Sequence, residues 1–103
     1  MTENDRRFVI SVYSENQIGL LSSLSAIFTR RNINIESLTV FPSEFPGIHH
    51  FIFRVFTSPG DAEQVVKVIE KKVDVLKAFY FESSDVSASE HDIVAEYLNG
   101  RNK

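Results

Sequence analysis

Residues 16–21, Asn16-Gln17-Ile18-Gly19-Leu20-Leu21, set polar side chains against apolar ones with a single glycine between them. The residues before them look like a strand and those after them like a helix, so the stretch is a strand-to-helix turn. At such a helix start the backbone N–H groups of Ile18, Gly19, Leu20 and Leu21 lack intrahelical acceptors, and the helix dipole adds positive potential. A carboxylate is a natural ligand for that end. Gly19 has no Cβ to block close approach, and Asn16 either caps the helix or offers its side-chain oxygen to an ammonium group. The plainer alternative is that Asn16 only caps and Gly19 only permits the turn.

Other chemistry-bearing residues are less well placed. His49 and His50 are adjacent in a strand-like run, so their side chains point to opposite faces and cannot easily share one metal ion. His91 has no evident ligand partner near it in sequence. Ser22, Ser23 and Ser25 fall inside a helix, with no strained turn to expose a nucleophilic hydroxyl. Glu63, Glu70 and Asp74 read as the solvated face of a second helix. The chain has no cysteine, which removes disulfides, thiolate nucleophiles and cysteine zinc sites. No catalytic set emerges; an acylphosphatase-like enzyme is an alternative on fold grounds alone.

The elements that position the turn follow from periodicity. Residues 7–14 alternate, with Phe8, Ile10 and Val12 on one face and Val9, Ser11 and Tyr13 on the other, which predicts a strand. Leu20, Leu21, Leu24, Ile27 and Phe28 then follow helical spacing, predicting a helix over 18–31 that ends at Arg30 and Arg31. Two β-rich runs, 32–41 and 48–57, flank the turn-forming PSEFPG. Ser58, Pro59 and Asp61 form a helix-start pattern, and Ala62, Val65, Val66, Ile69 and Val73 make the apolar face of the helix behind it. Residues 74–82 read as a last strand, with Val75, Phe79 and Phe81 on one side and Leu76 and Tyr80 on the other.

That order predicts an α+β, ferredoxin-like βαββαβ domain over 1–82: a four-stranded antiparallel sheet with two helices on one face. Residues 83–103 read as a polar C-terminal extension with a short helix around 88–98. Nothing in this order covers the other sheet face, and the strands are apolar on both sides, so the open face or an edge is expected to meet a second copy in a homodimer. The 103 residues suit one domain, and the net charge of −3 argues against nucleic-acid binding. With no apolar leader and no stretch of membrane-spanning length, the expected setting is cytoplasmic, with no membrane partner.

Residues 15–40, ENQIGLLSSLSAIFTRRNINIESLTV, resemble the first helix and second strand of an ACT domain, and more narrowly the small regulatory subunit family of acetolactate synthase (acetohydroxyacid synthase). The N-x-x-G turn at Asn16 and Gly19, then Leu21, Phe28, Arg31 and above all NIESLTV at 34–40, carry the resemblance, with KKVDVLKA at 71–78 adding to it. The resemblance implies a chain with no activity of its own that binds the catalytic (large) subunit, which would carry thiamine diphosphate, magnesium and FAD; no cofactor is expected in this chain. It implies a branched-chain amino acid effector, valine first, between two ACT domains. Carried over, the site is Asn16, Gln17, Ile18, Gly19, Leu20 and Leu21 from one chain, with Asn34 and Ile35 from its partner. An α-amino acid suits it: helix N–H groups for the carboxylate, Asn16 and Asn34 for the ammonium, and Ile18, Leu21 and Ile35 for the side chain. The alternative is a standalone ACT module that activates a partner without binding an amino acid. Members of the family commonly carry a second domain of similar size after the ACT domain.

Overall fold

The computed structural model describes residues 4–15, 19–83 and 98. The elements are β1 (Arg6–Glu15), α1 (Leu20–Arg30), β2 (Ile35–Pro42), β3 (Ile48–Thr57), α2 (Pro59–Glu70) and β4 (Val75–Glu82). The four strands form one antiparallel sheet in the order β2-β3-β1-β4. This is the expected ferredoxin-like arrangement.

Alternation explains the layering. Phe8, Ile10 and Val12 of β1 face the same way as Phe51, Phe53 and Val55 of β3 and Ala78 of β4. All are buried in one cluster with Leu20, Leu24, Ile27 and Phe28 of α1 and Ala62, Val65, Val66 and Ile69 of α2. Both helices therefore cover one face. Phe28 and Phe53, fully buried, meet with ring centroids 4.7 Å apart and join α1 to the middle of the sheet.

The helix ends follow local chemistry. In α2, Ser58 is the N-cap and its Oγ accepts from the Asp61 N–H at 3.1 Å, with Pro59 in the first turn, as the sequence predicts. Ser58→Ala is expected to cost about 1 kcal/mol by urea denaturation, since one helix-end donor loses its acceptor. Helix α1 ends at Arg30, and Asn32 adopts a left-handed conformation (φ 57°). The Ile33 N–H then donates to the Phe28 carbonyl at 3.0 Å and the Asn32 N–H to the Thr29 carbonyl at 3.0 Å. This is a Schellman closure, and its apolar contact is Ile33 with Phe28 in the core. Asparagine tolerates the left-handed region better than other side chains. The second strand consequently starts at Ile35 rather than at residue 32.

Three expectations need correction. Val73 is not on the α2 face: the helix stops at Glu70, and Val73 is 98% exposed in the turn that follows. In β4, Val75 does not share a side with Phe79. The pairing with β1 shifts at Tyr13/Ser14, so one extra residue reverses the alternation there. Val75 joins the helix-side core, while Leu76 packs with Phe79 on the opposite face. That opposite face is not bare either, because Leu98 packs on it beside Tyr13 and Ile48. The rest of the helix expected at 88–98 lies outside the described residues.

Candidate functional site

The turn after β1 is built around Gly19. Gly19 is the N-cap of α1, in a left-handed conformation (φ 86°, ψ −8°). The first intrahelical bond runs from the Ser23 N–H to the Gly19 carbonyl at 3.1 Å. The N–H groups of Leu20, Leu21 and Ser22 thus have no acceptor within the helix. Among the described residues no side chain caps this end, and its first turn has no acidic residue. A Cβ built on Gly19 would meet nothing within 4 Å, so the space above it is open. The helix starts two residues later than predicted, so the donors without an acceptor inside the helix run to Ser22.

Asn16, Gln17 and Ile18 lie outside the described residues. Leu20 is buried in the core and offers backbone rather than side chain, whereas Leu21, predicted on the buried face, is 41% exposed. Gly19, Leu20 and Ser23 line one side of a cleft of about 480 Å³ whose other side is Lys71, Lys72 and Asp74. The two lysines were absent from the predicted site. They follow α2 in sequence and reach Gly19 only because both ends come together at one end of the fold. Their ammonium groups have no ion-pair partner among the described residues. They add positive potential to that of the α1 end.

Asn34 and Ile35 stand elsewhere. Asn34 is exposed and lines a second cleft, of about 540 Å³, with Arg7, Arg31, Glu36, Ser58 and Asp61. Arg7 is ion-paired to Glu36 at 3.2 Å and lies over the Phe56 ring. Ile35 is half-buried and packs on the helix-side core of its own chain. Gly19 and Asn34 flank opposite ends of α1, whose eleven residues span about 16 Å. One chain does not bring the predicted residues together.

Their positions along the sheet are nevertheless related. Glu15, the end of β1, pairs with Ile48 of β3, and the Ser43 N–H, just past β2, donates to the Ile48 carbonyl at 2.9 Å. The Gly19 turn and the Pro42 end of β2 therefore lie at the same end of the molecule. Among the described residues β2 is hydrogen-bonded to β3 alone, so no described strand pairs its outer edge, and Val40 and Phe41 on it are 41% and 38% exposed.

The histidines part as predicted. His50 lies on the helix-free face, hydrogen-bonded through Nε2 to Ser11 Oγ and stacked on Tyr13 at 4.1 Å. His49 lies on the helix side, with Nδ1 buried and unpartnered among the described residues. Those residues contain no group of three or more His, Cys, Asp or Glu able to hold a metal ion. None of their helices is long and apolar enough to cross a membrane.

A profile described as "AHAS small subunit-like ACT domain" matches residues 10–77. The chain is 38% identical over 71 residues to the acetolactate synthase isozyme 3 small subunit of Escherichia coli, covering 69% of this chain and 44% of that protein. It is 37% identical over 70 residues to the acetolactate synthase small subunit of Bacillus subtilis, covering 67% and 41%. The crystal structure of the acetolactate synthase small subunit from Thermotoga maritima superposes with a TM-score of 0.69 at 30% identity, over 78% of this chain and 50% of that one. The chain spans about half the length of the curated relatives it matches.

Proposed function

The chain belongs to the AHAS small subunit-like ACT domain family, and from that premise we propose that it is a non-catalytic regulatory subunit of acetolactate synthase. It binds a branched-chain amino acid, valine first, between two copies of itself and tunes the catalytic subunit. Thiamine diphosphate, magnesium and FAD belong to that partner.

The observation that carries this reading is the α1 end at Gly19, without a side-chain cap among the described residues, at the same end of the sheet as the Pro42 end of a β2 edge that no described strand pairs. Two β2 edges that pair antiparallel about a two-fold axis centred on the strand put Ile35 of one copy opposite Pro42 of the other. Asn34 of the second copy then arrives at the Gly19 end of the first. The separation along α1 within one chain becomes proximity between two. Exposed Val40 and Phe41 are the apolar surface such an edge would bury. The same arrangement repeats on the other side of the axis, giving two equivalent sites.

At each site the free N–H groups of α1 receive the carboxylate, and Asn34 from the second copy accepts from the ammonium. Leu21 supplies apolar wall. An effector held this way regulates only if it binds one state of the complex better than the other, and a coupling of about 1–3 kcal/mol changes partner affinity roughly 5- to 150-fold.

The test is calorimetric titration of the full chain with valine, leucine and isoleucine, with its mass in solution measured alongside. A dimer is expected, with saturable binding to at least one amino acid. Asn34→Ala should weaken that binding by about 1.5–3 kcal/mol, the value of a hydrogen bond to a charged group. A folded dimer that releases no heat with any of the three would overturn the sensor reading in favour of an activating module without a ligand.

A further inference from the structure

We propose that Leu98 acts as an intramolecular ligand of the helix-free sheet face: it fills the apolar hollow around Tyr13 and Ile48 and reserves it against a second chain.

The hollow is well defined. Tyr13 and Ile48 are 3% and 8% exposed, although they lie on the face that neither helix covers. Phe45, Leu76, Phe79 and Leu98 pack around them. Tyr13 is the hub, edge-on to Phe45 at 6.3 Å and to Phe79 at 6.4 Å and stacked on His50. Leu98 is half-buried there and lies far from these residues in sequence.

The chain has the reach to place it. β4 ends at Glu82, opposite Phe8, while the hollow lies at the Tyr13 end of the same sheet, five residues or about 17 Å back along the strand. The residues from Glu82 to Leu98 can extend to about 50 Å, three times that separation. Leu76 is turned onto this face by the shift in β1–β4 pairing at Tyr13/Ser14, so the hollow depends on that irregularity. With the hollow filled from within the chain, self-association is directed to the β2 edge, and any chain that seeks the Tyr13 end of the open face must first displace Leu98.

The absence of cysteine makes a direct test clean. In the full chain, Ile48→Cys/Leu98→Cys is oxidised with glutathione disulfide at low protein concentration, with Val73→Cys/Leu98→Cys as the comparison because Val73 is fully exposed in a turn. The first pair should close an intramolecular disulfide at least about tenfold faster than the second, because its effective concentration is set by docking. Equal rates would overturn the proposal. So would a first-pair disulfide joining two chains, which would mean that a second copy fills the hollow. As a measurement free of new thiols, Leu98→Asp should lower Tm by about 5 °C and raise binding of an apolar dye. Unchanged Tm and dye binding would count against the proposal.

Discussion

Truncating Phe53 to alanine is expected to cost about 3–5 kcal/mol of folding stability. The side chain is fully buried in β3, flanked by Leu38 of β2 and Ile10 of β1 in the ladder, and its ring meets that of Phe28. Removing it leaves a void shared by three strands and α1, which the sheet cannot collapse to fill because its spacing is held by backbone hydrogen bonds. A domain of this kind has about 5–15 kcal/mol in total, so the variant should be partly unfolded near body temperature. Urea denaturation followed by circular dichroism measures the loss, and Phe53→Leu, which keeps much of the volume, should lose far less. A cost under about 1 kcal/mol for Phe53→Ala would contradict the packing described.

Gly19→Val should separate folding from effector binding. The left-handed backbone at Gly19 penalises any L side chain by about 1–2 kcal/mol, and a β-branched one more. No neighbour clashes with the new Cβ, so that backbone penalty is the main cost and the domain should still fold. The added methyl groups would occupy the open space over the α1 N–H groups, where the proposed effector's carboxylate would sit. Amino-acid affinity should fall at least about tenfold, or about 1.4 kcal/mol. Gly19→Asn, which tolerates the conformation better, should recover part of the stability. Calorimetry and urea denaturation on the same preparations make the comparison. A folded Gly19→Val protein that binds valine as the parent does would remove the turn from the site.

Much of the architecture was legible in the sequence because its causes are local. The alternation in residues 7–14 reports a strand and Leu20, Leu24, Ile27 and Phe28 report a buried helical face, since each pattern is written within a few residues. Ser58, Pro59 and Asp61 announce a helix start through bonds between near neighbours. Gly19 was legible as the glycine of the turn, but the cap was offered to Asn16; the structure puts the N-cap at Gly19, in a left-handed conformation that a residue without a Cβ adopts freely.

What escaped depends on residues far apart in the chain. Val75 and Leu76 were assigned to the wrong sides because their parity is set by an irregularity opposite Ser14, a residue whose Oγ bonds the Asp74 carbonyl at 2.8 Å across the fold. Lys71 and Lys72 join the Gly19 cleft only when the α2–β4 turn folds against the start of α1. Leu98 finds Tyr13 across most of the chain's length. The sequence by itself determined the elements, the Ser58 cap and most of the apolar faces, since these follow from periodicity and nearest-neighbour hydrogen bonds. Only the tertiary structure decided strand register, the company that Gly19 keeps and the separation of Asn34 from it. Those depend on which distant surfaces exclude water together, and no short stretch of the chain encodes that choice.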